Sequence, residues 1–183
     1  MQKLLHNLKS DESLMLAYQR GDSLAFEVLY MRHKNPLFNF LYNSCQQYAL
    51  VEDLAHDIWM AVIRNIENYK DKASFKTYLY RIARNKLIDH WRSSKEGQQQ
   101  EFDEDLHLNA TIEVNELEQG IQVKQILDAI LNLPYEQREA FLLKEEGFSQ
   151  NEIAKITQSK PETVKTRVRY ATQTLRSVTE VVV

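Results

Sequence analysis

Apolar residues in this chain recur three and four positions apart from one end to the other, a period that predicts helices throughout. Ser10 is placed to cap a first short helix carrying Leu14, Ala17 and Tyr18, with Gly21 to end it. Asp22 or Ser23 starts a second, in which Phe26, Leu29, Tyr30 and His33 share a face, and Pro36 predicts a break and the opening of a third. Leu37, Phe40, Leu41, Cys45 and Tyr48 form the stripe of that third helix, and Leu54, Ile58, Ala61, Val62 and Ile66 that of a fourth. Residues 65–74, NIENYKDKAS, lose the period and read as a loop, with Ser74 as the cap of the next helix, 75–92. There Phe75, Tyr78, Leu79, Ile82 and Ala83 gather on one face and Arg81, Arg84, Asn85, Ile88 and Arg92 on another. One face can pack while the other meets phosphate.

After Arg92 the character changes. Residues 93–120 hold a single cation, Lys95, against eight carboxylates, a net charge of −7 in a polar, glutamine-rich stretch with few large apolar residues. This predicts a linker. The pattern resumes near Ile121 with Val123, Ile126, Leu127 and Ile130, passes Pro134, and continues through Phe141 and Leu142 to Gly147. Ser149 and Glu152 then have capping-box spacing, and Phe148 with Ile153 supplies the hydrophobic staple. A short helix over 150–157 and a QSK turn lead to Pro161 at the first position of a longer helix, with Val164, Val168, Ala171 and Leu175 inward. This is a helix-turn-helix pattern.

The reading is therefore all-α: an N-terminal helical bundle over 1–94, an acidic linker over 95–120, and a C-terminal four-helix domain containing the helix-turn-helix over 121–183. Only 4 Gly and 3 Pro in 183 residues leave little turn chemistry for hairpins, which supports it. The formal charge of −3 argues against a nucleic-acid binder until the linker is set aside, whereupon the remainder carries +4. The lone Cys45 has no internal disulfide partner, and its spacing from Leu37 and Leu41 suits packing in a reducing compartment. No apolar run reaches membrane-spanning length, and the polar N-terminus lacks a secretory signal, so membrane insertion is not expected and the cytoplasm is.

Three groups of residues carry candidate chemistry. Tyr69, Phe75, Tyr78, Tyr80 and Trp91 lie among arginines, the combination that unstacked bases require, although an amphipathic helix with a solvated basic side has the same pattern. On the last helix Glu162, Lys165, Thr166, Arg169, Tyr170 and Arg176 lie opposite the apolar seam, where a recognition helix meets the major groove. Glu52, Asp53, His56 and Asp57 cluster at the start of the fourth helix beside Trp59 and Met60. That cluster has no HExxH spacing and no second local histidine, so it reads as a solvated face or a protein-docking surface rather than a metal site.

These motifs together resemble a sigma factor of bacterial RNA polymerase, of the small extracytoplasmic-function (ECF) class. The stretches DSLAFEVLYMRH and LFNFLYNSCQQYALVEDLAHDIWMAVIRNI are similar to that family's promoter-melting domain, and FKTYLYRIARNKLIDHWR to its minus-10 reading segment. LPYEQREAFLLKEEGFSQNEIAKITQSKPETVKTRVRYATQTLR is similar to the domain that reads the minus-35 element. Tyr78 stands where the family often has tryptophan, and Gln158 where its turn often has glycine.

The resemblance implies binding to core RNA polymerase and promoter DNA, no enzymatic activity, no cofactor, no metal, no small-molecule substrate, and an anti-sigma protein as inhibitory partner. It implies polymerase docking by Glu52, Asp53, Asp57, Trp59 and Met60. For the minus-10 strand it implies Tyr69, Phe75, Tyr80, Arg81, Arg84, Asn85, Trp91 and Arg92. For the minus-35 duplex it implies Lys160, Glu162, Thr163, Lys165, Thr166, Arg167, Arg169 and Tyr170. A freestanding helix-turn-helix regulator is the alternative; it leaves the aromatic, basic helix 75–92 unexplained.

Overall fold

A computed structural model describes residues 6–70, 73–97 and 117–182. Among them the regular structure is helical: α1 (Asp11–Gln19), α2 (Ser23–Cys45), α3 (Tyr48–Arg64), α4 (Phe75–Gly97), α5 (Leu117–Leu131), α6 (Tyr135–Glu145), α7 (Gln150–Thr157) and α8 (Pro161–Val182), with one 3-10 turn at Ile66–Asn68.

The predicted caps form. Ser10 Oγ accepts the Ser13 N–H, and the Asp22 side chain accepts that of Ala25. Gly21 and Gly147 close α1 and α6 with φ of +97° and +86°, values glycine adopts without steric cost. Ser149 and Glu152 complete the capping box of α7, and the staple residues Phe148 and Ile153 are both buried. Gln158 accepts the left-handed conformation, at φ +53°, in the turn between α7 and α8.

The expected break at Pro36 does not occur: α2 runs unbroken through it for 23 residues. An interior proline costs about 3 kcal/mol in lost hydrogen bonding and ring clash. Against this, Ala25, Val28, Leu29 and His33 before it and Leu37, Phe40 and Leu41 after it are buried in phase along the one helix. Each large apolar side chain buried contributes about 1.5–3 kcal/mol, so the continuous stripe outweighs the local penalty. Tyr48, expected to end that stripe, instead starts α3 and is exposed, because Gln46 turns the chain in the left-handed region. Cys45 is half-buried and donates its Sγ hydrogen to the Leu41 carbonyl at 3.3 Å; burial raises its thiol above the usual range.

Helices α1–α4 pack as a bundle around Leu14, Leu29, Leu41, Ile58 and Leu79, and α5–α8 pack around Leu143, Ile153 and Val164. Ile126, predicted inward on α5, is exposed, whereas Ile130 one turn later is buried. The two halves share one continuous core: α7 lies on α4, and α5 and α6 lie on α2. Helix also enters both ends of the stretch expected as linker, since α4 continues to Gly97 and α5 begins at Leu117. The rest of that stretch, residues 98–116, falls outside the described residues.

A side chain with a Cβ in the left-handed region costs about 1 kcal/mol relative to glycine. Gln158→Gly should therefore raise stability by about that amount in denaturant unfolding, and a lowered midpoint would show that the glutamine side chain contributes more than its backbone costs.

Candidate nucleic-acid interface

The recognition helix is set by its neighbours before its outward face is considered. Val164 and Ala171 are buried, and Val168 and Leu175 half-buried, which fixes the rotation of α8. Gln150 Nε2 donates to the Pro161 carbonyl at 2.7 Å and ties the start of α7 to the start of α8. That rotation leaves Lys160, Glu162, Thr163, Lys165, Thr166, Arg169 and Tyr170 exposed. The Arg169 guanidinium lies over the Tyr170 ring, 5.0 Å from its centroid, and Thr166 Oγ1 donates to the Glu162 carbonyl at 3.0 Å. Arg169, Thr172, Gln173, Arg176 and Ser177 line a shallow groove farther along the helix. Arg167 is placed otherwise. It is half-buried on the side of α8 that faces Glu139 of α6, too far round for the exposed set.

The second group centres on α4, and here the structure corrects several expectations. Phe75 and Tyr80 have no exposure and Tyr69 is 5% exposed, so these rings are core residues rather than open stacking platforms. Phe75 packs against His33, Tyr69 and Tyr78; Tyr80 lies between Phe40 of α2 and Phe148, which precedes α7. Phe75 and Tyr69 are buried within the first half of the chain, and Tyr80 is covered from the second half by Phe148. Arg81, Asn85 and Arg92 remain exposed. Arg84 does not: its Nε donates to Glu139 Oε1 at 2.8 Å, and both side chains are largely buried. Trp91 is half-buried with its ring edge-on to Tyr135, centroids 4.8 Å apart.

The start of α4 and the loop before it are held by α1. Ser74 caps the helix by accepting the Thr77 N–H, and the Glu12 carboxylate accepts the Phe75 N–H at 2.9 Å. Gln19 Nε2 donates to the carbonyls of Ile66 and Glu67 at 3.0 and 3.2 Å. Beside Glu12, Asp11 accepts Arg32 Nη1 at 2.6 Å and lies 2.6 Å from His33 Nε2, and the His33 ring packs edge-on against Phe75. Residues 71 and 72 of the loop are outside the described set.

On α3, Glu52, Asp53 and His56 are exposed, Met60 is half-buried, and Asp57 is paired with Lys86 of α4 at 2.9 Å. The Lys86 hydrogen bond and charge hold the Asp57 carboxyl below the usual carboxylate range. Trp59, expected as a docking contact, is 7% exposed and packs edge-on to Phe26 and Tyr30. Leu24, Tyr30 and Met31, none of them expected for this surface, are the large apolar residues exposed on the neighbouring α2. An indole on an acidic helix looks like a contact residue in sequence; only the packing of α2 on α3 shows it turned inward.

Lys76, Tyr135, Glu139 and Glu146 were also missed. The last three meet α4, Lys76 included, across 44 to 70 residues of sequence, a separation at which periodicity carries no signal. Tyr80 donates its hydroxyl to Glu146 Oε2 at 2.7 Å, and burial followed by that carboxylate pushes the phenol far above its ordinary range. Burial raises Glu139, offset by the Tyr135 hydroxyl and Arg84, and its second oxygen is buried without a hydrogen-bond partner.

Residues 29–96 match the family model described as Sigma-70 region 2, and residues 124–175 that of Sigma-70, region 4. The chain is 30% identical to the ECF RNA polymerase sigma factor SigW of Bacillus subtilis, over 86% of this chain and 90% of that protein. It is 28% identical to the RNA polymerase sigma-H factor of Pseudomonas aeruginosa, over 87% and 89% of the two. Among solved structures, CnrH in complex with the cytosolic domain of CnrY matches with TM-score 0.73 at 20% identity, over 94% of this chain and 99% of that one. The sigma factor RpoE of Bartonella quintana, solved with the anti-sigma factor NepR, matches with TM-score 0.72 at 22% identity, over 85% and 97%. At those identities the likeness is one of fold.

Burial would raise the Asp11 carboxyl, but hydrogen bonds from His33 and Arg32, with their charge, hold it below the usual range. A lowered acid stabilises the fold above its unfolded pKa, near about 4, and that stabilisation is lost as pH falls through the lower folded value. Unfolding midpoints measured from pH 7 down to 3 should fall less steeply for Asp11→Asn than for the unaltered chain; parallel curves would mean the network adds no proton linkage.

Proposed function

The chain belongs to the extracytoplasmic-function sigma factors of bacterial RNA polymerase, and we propose that its two halves divide promoter recognition between duplex and single-stranded DNA. It directs promoter-specific initiation of transcription as a DNA-binding factor. The polymerase makes the bonds, and this chain performs no chemistry of its own. Among the described residues no helix is long and apolar enough to cross a membrane, and the site of action is the cytoplasm, where the polymerase works.

The exposed face of α8 docks in the major groove at the minus-35 element. Lys165 and Arg169 can approach guanine edges or phosphates, Glu162 can accept from a cytosine amino group, and Lys160, Thr163 and Thr166 can meet the backbone. Arg167 takes a positioning role, because it faces α6. On α4, Arg81, Asn85 and Arg92 track the melted minus-10 strand, with Arg84 and Trp91 joining when the second half of the chain moves away. Tyr69, Phe75 and Tyr80 support the loop and helix from beneath.

Glu52, Asp53 and Asp57 dock on a basic surface of the core polymerase, and Trp59 braces α3 from within. The two solved relatives hold protein partners, and an anti-sigma protein acting on this chain is proposed by the same likeness. The observation that carries the whole assignment is the two-part match, region 2 and then region 4, on a chain whose recognition-helix face is open and cationic.

The test is transcription by purified core polymerase with and without this protein on its own upstream region and on enriched genomic fragments. A defined start that depends on the protein is expected; no start and no complex with core would refute the reading. Arg169→Ala should weaken duplex minus-35 binding by about tenfold, the scale of one good side-chain contact to DNA. Trp91→Ala and Arg81→Ala should instead reduce open-complex formation, read by permanganate reactivity of unpaired thymines. Equal loss of duplex binding in all three, with melting intact, would contradict the division of labour.

A further inference from the structure

None of the residues read for polymerase or DNA lies on α1, yet this helix holds both ends of the connection between α3 and α4. Gln19 Nε2 donates to the carbonyls of Ile66 and Glu67 at 3.0 and 3.2 Å, and the Glu12 carboxylate accepts the Phe75 N–H at 2.9 Å. The two side chains lie two turns apart on one edge of α1, about 10 Å along its axis, with the fully buried Met15 between them. The helix is itself fixed to α2. Asp11 accepts Arg32 Nη1 and lies 2.6 Å from His33 Nε2, while Arg32 also donates to the carbonyls of Asn7 and Lys9. One anchored element therefore sets both where the 3-10 turn sits and where α4 begins.

The turn carries Tyr69, whose N–H donates to the Ile66 carbonyl at 3.1 Å. The Tyr69 ring packs edge-on against Tyr78, centroids 5.4 Å apart, and against Phe75 at 6.5 Å. Tyr78 is half-buried and stands at helical spacing from Arg81 and Asn85, both exposed, so these three share the open face of α4. Gln19 acts on that face through the turn and Tyr69, and Glu12 acts on it through the first turn of the helix. We propose that Gln19 and Glu12 are positioning residues for the minus-10 strand: they hold Tyr78, Arg81 and Asn85 in place before DNA arrives, without touching it. This rests on the reading of α4 as the single-strand surface.

Folding alone does not call for Gln19. Its side chain is exposed, the Ile66 carbonyl has a second donor in Tyr69, and Glu67 is open to water. A glutamine that adds little to the stability of the fold still removes freedom from the turn, and freedom removed in advance is not lost again when the strand binds. Glu12 has the same character at the other end. The Ser74 hydroxyl already caps α4 by accepting the Thr77 N–H at 3.2 Å, and Glu12 adds a second acceptor from another helix, which ties the first turn of α4 to α1.

The test uses holoenzyme assembled from core polymerase and the full chain. Gln19→Met keeps the length of the side chain and the surface charge but removes the donor. Glu12→Met removes the acceptor, whereas Glu12→Gln makes the same change of charge and keeps an amide oxygen able to accept the Phe75 N–H. Each Met variant should weaken binding of a single-stranded oligonucleotide, taken from the non-template minus-10 region of the strongest promoter found above, by about fivefold, and the two together by more. The loss should persist on a template already unpaired across the minus-10 element, because strand binding rather than melting is impaired. Assembly with core and duplex minus-35 affinity should be unchanged, and Glu12→Gln should retain most of the strand affinity. In the free chain, amide hydrogen exchange at Tyr69 should quicken in Gln19→Met and that at Phe75 in Glu12→Met. Equal losses of strand, duplex and core binding mean general damage and overturn the proposal. So does unchanged strand affinity in the paired Met variant while Arg81→Ala still impairs open-complex formation, which leaves the reading of α4 standing. Unchanged strand affinity together with a harmless Arg81→Ala overturns both.

Discussion

The Tyr80 ring is gripped from two sides, by Phe40 of the N-terminal bundle and by Phe148 of the C-terminal half, and this stack is one of the contacts through which the two halves come to share a single hydrophobic core. A helix with apolar and cationic faces has to bury the first against something. Here α4 buries Phe75, Leu79 and Ala83 against α1–α3, and the remaining aromatic on its flank finds a partner in α7's staple residue. The polar contacts beside it follow from that burial. Once Phe148 covers Tyr80, the hydroxyl, Lys76 and Arg84 are withdrawn from water and need acceptors, and Glu146 and Glu139 supply them.

Local signals in the sequence were accurate wherever local physics decides the outcome. The capping box at Ser149 and Glu152, the glycine ends at Gly21 and Gly147, and the outward face of α8 all depend on residues within a turn or two of one another. Pro36 was misjudged because its penalty is local while the packing of Leu37, Phe40 and Leu41 that outweighs it is tertiary. Trp59 and Tyr80 were misjudged for the same reason in mirror image. Their chemistry suits an interface, and what buries them arrives from other helices. The outward face of α8 was thus legible in the sequence, while the aromatic and basic residues of α4 were legible only as a list and not as a surface.

The charge distribution separates along the same line. Carboxylates on α3 stand in solvent, where an isolated charge costs little and can meet an oppositely charged partner on approach. Glu139 of α6 and Glu146 at its C-terminal cap are instead turned toward α4, where Arg84 and Lys76 meet them. Net charge therefore says little about where this chain can bind polyanions. The acidic stretch that makes the total negative lies largely outside the described residues, and the carboxylates that matter for access to α4 belong to the folded helices instead.

Asp57 bears on how the surfaces communicate. It pairs with Lys86, two residues along α4 from Arg84, so α3 and α4 share an ion pair beside the contact between the halves. The pair is half in solvent, where such bridges contribute about 1 kcal/mol or less, too little to drive the two halves apart. The pair can bias the position of α4 but does not hold the halves together; the larger energies lie in the rings of Tyr80, Phe148, Trp91 and Tyr135. Any separation of the two halves must therefore overcome those ring contacts first, and the ion pairs of Arg84 and Lys76 follow them rather than decide the outcome.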